Sequence, residues 1–396
     1  MKYASISDRL DGLGAAKWAV HIAGRGRAVR GEDLIFLSIG EPDLPPPPAV
    51  VERAITSLHE GRTKYTSGKG EQATLDAIAG HLTRRSGGVT VTRDNIACTS
   101  GTQHALYAAI NTLVEFGDEV LVPDPYYATY EAVVAASGAT FVAVPTLPEQ
   151  NFHLTPEALE AAITPNSRVL LLNTPSNPTG AVLSEAEIDA IGEVCERHDL
   201  WIVCDEVYAD LTFDVPFSSP FDRPQLRERS VSVASISKSH ALPGFRSGWA
   251  AGPAEFIRRL TLVSETMLFG IQPFLCDAVV VALNETHPEV ARQRDVFRER
   301  AQAMVATLAG SDAVSVHMPE GGMFVMADIR PTGLTGEEFA WRLLDECGVV
   351  VMPGESFGSR GGGHLRLALT VEVDVMIEAC RRIRELAEQL AAERAA

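Results

Sequence analysis

Ser235-Ile-Ser-Lys238 closes a β-rich run and leads into the segment PGFRSG, Pro243 to Gly248. A lysine at a strand end sits where α/β proteins build ligand sites. An amine that can lose its proton there becomes a nucleophile, and imine formation with an aldehyde cofactor is the chemistry that meets that need. Taken alone, Lys238 is better read as a solvated surface lysine. Its neighbours reverse that reading. Ser235, Ser237 and, eight positions on from the lysine, Arg246 supply hydroxyl donors and a guanidinium fork suited to a phosphate dianion.

Asp205 follows the apolar run Trp201 to Cys204, so a carboxylate stands at the carboxyl end of an inner strand and needs a cationic partner. A pyridinium nitrogen supplies one, and an ordinary salt bridge is the plainer alternative. Tyr208 can reach the same ring. Asn177, in the turn NTPSNPTG that ends the preceding strand, can donate to a ring oxygen, although NPTG is also a common structural turn. Gly101, Thr102 and Gln103 join a strand to a helix, a standing anion site and equally a commonplace turn. Tyr127, after another strand end, offers a face for a flat ring or a piece of core. Tyr65 lies in the irregular segment KYTSGKG, of the kind found in exposed functional loops. Arg366 is a single charge within the alternating strand HLRLAL, where it pairs with a carboxylate if it points inward and is solvated if it does not.

The elements that must position these residues follow from pattern. Between about residues 90 and 255, short apolar runs alternate with helical runs, the pattern of βαβ units in a mainly parallel sheet covered on both faces. The strands expected are Asn95–Thr99, Glu119–Val122, Thr140–Val144, Arg168–Leu172, Trp201–Cys204, Ser230–Ala234 and Ser247–Ala251. Helices are expected at His104–Glu115, Pro156–Ile163 and Ser184–Arg197, the last opened by a capping box of Ser184 with Glu187. Four prolines, Pro45 to Pro48, predict a stiff extended linker. From Pro288 a long charged helix begins, followed by strands at Met323–Asp328 and His364–Leu369, a glycine-rich mobile loop at Gly358–Gly363 and a closing helix from Val373. The division expected is an N-terminal segment 1–48 belonging to the small domain, a large domain 49–287 and a small α+β domain 288–396.

The chain has 396 residues, 52 acidic against 34 basic, and a formal charge of −18. Such a field repels phosphate backbones and anionic lipid, so nucleic acid is not an expected partner. No signal peptide or membrane-length apolar stretch is visible, and six cysteines without metal-like spacing read as reduced structural thiols. A cytoplasmic protein without a metal site is expected.

Taken in order, Asn177-Pro-Thr-Gly180, Asp205 with Tyr208, Ser235-x-Ser-Lys238 and Arg246 resemble the class I/II aminotransferases of the fold-type I pyridoxal-phosphate enzymes. Leu37-x-x-Gly40-Glu-Pro-Asp43 and Tyr65-Thr-x-x-x-Gly70 fit that family's N-terminal signatures. The resemblance implies a seven-stranded large domain and pyridoxal 5'-phosphate as cofactor. It implies Lys238 as imine lysine and proton shuttle, Asp205 on the pyridine nitrogen, and Asn177 and Tyr208 on the ring oxygen. Tyr127 is implied to stack on the ring. Thr102, Ser235 and Arg246, with the backbone around Gly101, are implied to hold the phosphate, with Gln103 and Ser237 also against the cofactor. Gly40, Asn177 and Arg366 are implied on the substrate side, Arg366 on its carboxylate. Tyr65 is implied to reach the neighbouring subunit's cofactor in a homodimer with shared active sites.

Ser237-Lys-Ser-His-Ala241, Gly321 to Met326, Asp328 to Leu334 and the Trp18 region resemble bacterial arginine:pyruvate transaminases. The expected reaction therefore moves an amino group from arginine or a related basic amino acid to a 2-oxo acid such as pyruvate. Trp18, Glu41 and Asp43 are candidates for the guanidinium on location alone. The competing readings are an aspartate, aromatic or alanine aminotransferase and a C–S β-lyase using the same lysine. An oxidase or decarboxylase is a further reading, and a ligand-sensing regulator the most remote.

Overall fold

Seven apolar runs in the middle of the chain assemble into one sheet, because a strand covered on both faces needs no polar alternation. The computed structural model describes residues 2–395, so Met1 and Ala396, the outer limits of the two terminal segments, lie outside the described residues. A two-residue strand, β1 (Ile35–Phe36), comes first. There follow β2 (Ile96–Thr99), β3 (Glu119–Asp124), β4 (Thr140–Pro145), β5 (Ser167–Asn173), β6 (Trp201–Asp205), β7 (Ser230–Ser235) and β8 (Gly248–Ala251). The sheet order is β2-β8-β7-β6-β5-β3-β4, with β8 antiparallel to both neighbours and the other pairs parallel. β2, β7 and β8 are buried along their whole length, and the edge strand β4 is the most exposed.

The capping box forms: Ser184 Oγ accepts from the Glu187 N–H at 3.3 Å, Glu187 Oε2 accepts from the Ser184 N–H at 2.8 Å, and the helix runs Glu185–Arg197. Two expectations are corrected here. The helix expected from His104 begins at Thr102, since Gly101 at φ 77° leaves the strand and serves as its N-cap. The proline run is not all linker, because Pro48 opens the helix Pro48–His59 at its first position, where a missing N–H costs nothing.

The C-terminal part adds β9 (Ser315–Val316), β10 (Phe324–Asp328), β11 (Val349–Val350), β12 (Met352–Pro353) and β13 (His364–Ala368). β12-β13-β10-β9 form an antiparallel sheet, and β1 pairs in parallel with β11. The helices Pro288–Leu308 and Val373–Ala395 share a core with this sheet, into which Val20 and Leu37 of the N-terminal segment also pack. Leu37 is further tied by its N–H to Val350 O and by its carbonyl to the Ala368 N–H, each at 2.8 Å. The glycine-rich stretch is also corrected. It forms a 3-10 turn, Ser359–Gly361, and the Asp124 carboxylate pins it by accepting from the Ser359 N–H and hydroxyl and the Arg360 N–H. The six cysteines are unpaired, five of them buried. Among the described residues no helix is long and apolar enough to cross a membrane.

Candidate active site

The carboxyl ends of β2, β5, β6 and β7 converge on one cavity of about 500 Å³, closed on the far side by Gly40, Phe324 and Arg366. Crevices of this kind form outside the carboxyl ends of strands in α/β sheets. Every residue singled out for cofactor or substrate lines this cavity except Gly101, Tyr65 and Asp43. Gly101 is directly behind it, where a Cβ would stand 2.4 Å from an Arg246 nitrogen and φ of 77° favours glycine. Tyr65 is 87% exposed and stacks edge-on with the exposed Phe269.

Register explains the clustering. Asn173 of β5 pairs with Asp205 of β6, and Ser235 of β7 pairs with Gly248 of β8, so adjacent strands end on the same level. Ser235 caps the four-residue helix Ile236–Ser239 that carries Lys238. The Ser235 hydroxyl accepts from Thr102 Oγ1 at 3.0 Å, joining the two turns that line one end of the cavity. Arg246 sits beside them in a left-handed conformation, φ 51°, uncommon for a non-glycine residue and held by its own bond to Pro243 O.

Lys238 Nζ donates to Gly40 O at 2.6 Å. Burial lowers its pKa from 10.5 to about 8, with Glu41 opposing the shift and Arg366 and Arg246 adding to it. Asp205 is buried and accepts from Tyr130 Oη at 2.8 Å and from the Val207 N–H at 3.2 Å. Burial nevertheless raises its pKa to about 6. Tyr208 and Asn177 are buried side by side, and Tyr127 meets Tyr130 edge-on.

Arg366 is 1% exposed, its guanidinium held between the Phe324 and Phe357 rings at 4.1 and 4.5 Å from their centroids. Its bonds go to uncharged oxygens, Asn177 Oδ1 at 3.1 Å and Ser38 O at 2.5 Å, and Nε has no partner. Burial without an acid beside it lowers the pKa to about 10. A buried cation so placed lacks only a carboxylate. Gly40 belongs to this arrangement, since a Cβ there would fall 2.2 Å from Phe324 Cζ and push that ring off the guanidinium.

Trp18 and Glu41 both reach the cavity wall, whereas Asp43 is corrected. Its carboxylate is gripped by Arg300 through two bonds of 2.7 and 2.8 Å and does not line the cavity. Sequence reasoning missed Tyr130 as the hydroxyl on Asp205. It also gave Asn173 no role, though its amide donates to Asp205 O at 2.9 Å and its oxygen accepts from the Asn177 N–H at 2.7 Å. A polar residue at a strand end was the available signal for Asn173; nothing local marks Tyr130.

Pyridoxal 5'-phosphate fits the residues present. Ser237 Oγ is buried at the phosphate end with no partner, Arg366 Nε is likewise unpaired, and Asp205 is a buried carboxylate with no cation bonded to it. Comparisons with known proteins agree. Residues 32–383 match the family Aminotransferase class I and II. An arginine-pyruvate transaminase of Pseudomonas aeruginosa is 42% identical over 98% of this chain and 99% of its own. An aspartate aminotransferase of Bacillus subtilis is 33% identical over 91% and 92%. The solved aspartate aminotransferase of Thermus thermophilus with maleate superposes with a TM-score of 0.91 at 30% identity, covering 98% of this chain and all of that one. The chain belongs to the class I and II aminotransferases, fold-type I enzymes that use pyridoxal 5'-phosphate.

Proposed function

We propose that this aminotransferase moves the amino group of L-arginine, or a related basic amino acid, to a 2-oxo acid such as pyruvate. The observation that carries the amino-acid part is Arg366, a buried guanidinium with an unpaired Nε on the same cavity as Lys238. The arginine-pyruvate transaminase identical at 42% of positions supports the choice of donor and acceptor.

The bound cofactor supplies an aldehyde for amine exchange and a ring that accepts the electron pair left when Cα loses its proton. The chain's own residues do the rest. Arg366 grips the substrate α-carboxylate and fixes which Cα bond faces Lys238. Lys238, with its pKa lowered to about 8, is available as a neutral amine that takes the Cα proton and returns it. Asp205 holds the ring nitrogen in its protonated form, with Tyr130 keeping the carboxylate aimed. Asn177 and Tyr208 address the ring oxygen and Tyr127 the ring face. Gly101, Thr102, Gln103, Ser235, Ser237 and Arg246 address the phosphate end. Trp18 and Glu41 are the wall residues assigned to the guanidinium; Glu41 lies in a segment that is a family signature, so Trp18 is the first to test.

A homodimer is part of this reading. Tyr65 and Phe269, 87% and 73% exposed, form an aromatic pair suited to a second copy, where Tyr65 would serve the partner's phosphate site. A cytoplasmic location is consistent with six unpaired cysteines. The test is a comparison of kcat/KM for arginine, lysine, aspartate and phenylalanine with pyruvate, repeated for Trp18→Ala. Arginine leading the set, with a selective loss on the basic donors in the variant, supports the reading. A lead for aspartate or phenylalanine overturns the donor.

A further inference from the structure

The helix Pro288–Leu308 belongs to the C-terminal core, yet two of its polar side chains are almost fully buried against other parts of the chain: Gln293 at 2% exposure and Arg300 at 1%. They lie seven residues apart, two turns, and so share one face with Phe297 between them. Gln293 Nε2 donates to Lys238 O, and to Ser239 O at 3.3 Å. A helix of four residues cannot satisfy its own last carbonyls: besides Gln293, the Lys238 carbonyl has the His240 N–H, which it shares with Ile236 O, and a long 3.4 Å bond from the Ala241 N–H. Arg300 grips Asp43 through both carboxylate oxygens and donates to Leu369 O at 2.9 Å. Asp43 lies three residues beyond Gly40, the residue whose carbonyl receives Lys238 Nζ.

We propose that Gln293 and Arg300 are positioning residues of the transamination site: one helix face holds, at two points, the two backbone segments that meet in the Lys238–Gly40 contact. Gln293 fixes the turn from which the lysine side chain departs. Arg300 fixes the strap that ends at Asp43, and with it the placement of Gly40 under Phe324 and Arg366. The helix thereby sets the lysine amine against the place where the carboxylate is held. The inference rests on Lys238 being the reacting amine and Arg366 the carboxylate clamp.

The test uses the holoenzymes of Gln293→Met, which keeps length and loses the donor, Asp43→Asn, which loosens the grip of Arg300, and the double variant. Each single change is expected to lower kcat roughly tenfold with KM within about threefold, as for an interaction felt mainly when the proton moves. Each is also expected to shift the pH midpoint of the holoenzyme's visible absorbance band, which a merely structural change would leave alone. Because both act on one contact, the double variant is expected to lose much less than the product of the single losses. Multiplicative losses, or unmoved midpoints in both single variants, overturn the proposal. Lys238→Ala separates the two claims: retained turnover there brings down the site reading itself, whereas an inactive Lys238→Ala beside unaffected Gln293→Met and Asp43→Asn brings down only the positioning role.

Discussion

Replacing Arg366 by lysine keeps the positive charge and removes the fork. Arginine has five N–H donors; with one on Asn177 Oδ1 and one on Ser38 O, three remain, including the unpaired Nε. A bidentate carboxylate uses two of these. An ammonium at the end of a shorter stem can offer one bond to the carboxylate while Ser38 O and Asn177 compete for the others. It also cannot lie flat between Phe324 and Phe357 as the guanidinium does. A charge-assisted hydrogen bond is worth about 1.5–3 kcal/mol, so losing one together with the stacking costs about 2–4 kcal/mol. At about 1.4 kcal/mol per factor of ten, kcat/KM for arginine should fall about 30- to 1000-fold. The assay compares arginine with agmatine, the same side chain without the α-carboxylate, on wild-type and Arg366→Lys holoenzyme. Agmatine should change by less than about threefold, since it never used the fork. An equal loss on both amines, or a loss on arginine below about fivefold, would refute the assigned role.

Three further outcomes follow from the same geometry. Asp205 has its pKa raised from 3.8 to about 6, so the folded protein binds that proton more tightly than the unfolded chain; the favourable contribution is complete below 3.8 and lost as pH rises through about 6. Asp205→Asn should therefore stabilise the cofactor-free protein, by up to about 3 kcal/mol above pH 7, and by almost nothing near pH 4, while abolishing turnover of the holoenzyme. Urea unfolding at the two pH values checks this, and a destabilised variant at the higher pH contradicts it. In the cofactor-free protein, labelling of Lys238 by an amine-directed reagent should rise through a midpoint near its pKa of about 8, well below the ordinary 10.5; peptide mapping against pH reads it, and a midpoint above about 10 speaks against a desolvated amine. Gly40→Ala should raise KM for all amino-acid donors at least about tenfold, because overpacking of about 1–3 kcal/mol displaces Phe324 from Arg366; an unchanged KM would show that Phe324 can yield without loss.

The sheet was legible because most of its strands read as continuous apolar runs, and each lies within two residues of its expected limits. The motif residues were legible because glycine, asparagine, aspartate and lysine at strand ends have few structural reasons to be there. Other parts were hidden for identifiable causes. Tyr130 meets Asp205 across 75 positions, and an aromatic residue one turn past Tyr127 looks like core. Gln293 and Arg300 sit in a helix so rich in charge that it reads as solvated, and only their spacing with Phe297 and Met304 marks a buried face. Asp43 looked available for a substrate guanidinium because its partner, Arg300, lies 257 positions away. Pro48 was read from its neighbours, although a proline at a helix start is as well placed as one in a linker.

Donor and acceptor are read together by incubating the holoenzyme with arginine carrying an isotopically labelled α-amino nitrogen and with unlabelled pyruvate, and following where the label goes. Labelled alanine is expected to form in step with the 2-oxo acid of arginine, and none with Lys238→Ala. Label released as ammonia, or left in arginine while aspartate readily gives its nitrogen to the same acceptor, would contradict the proposed transfer.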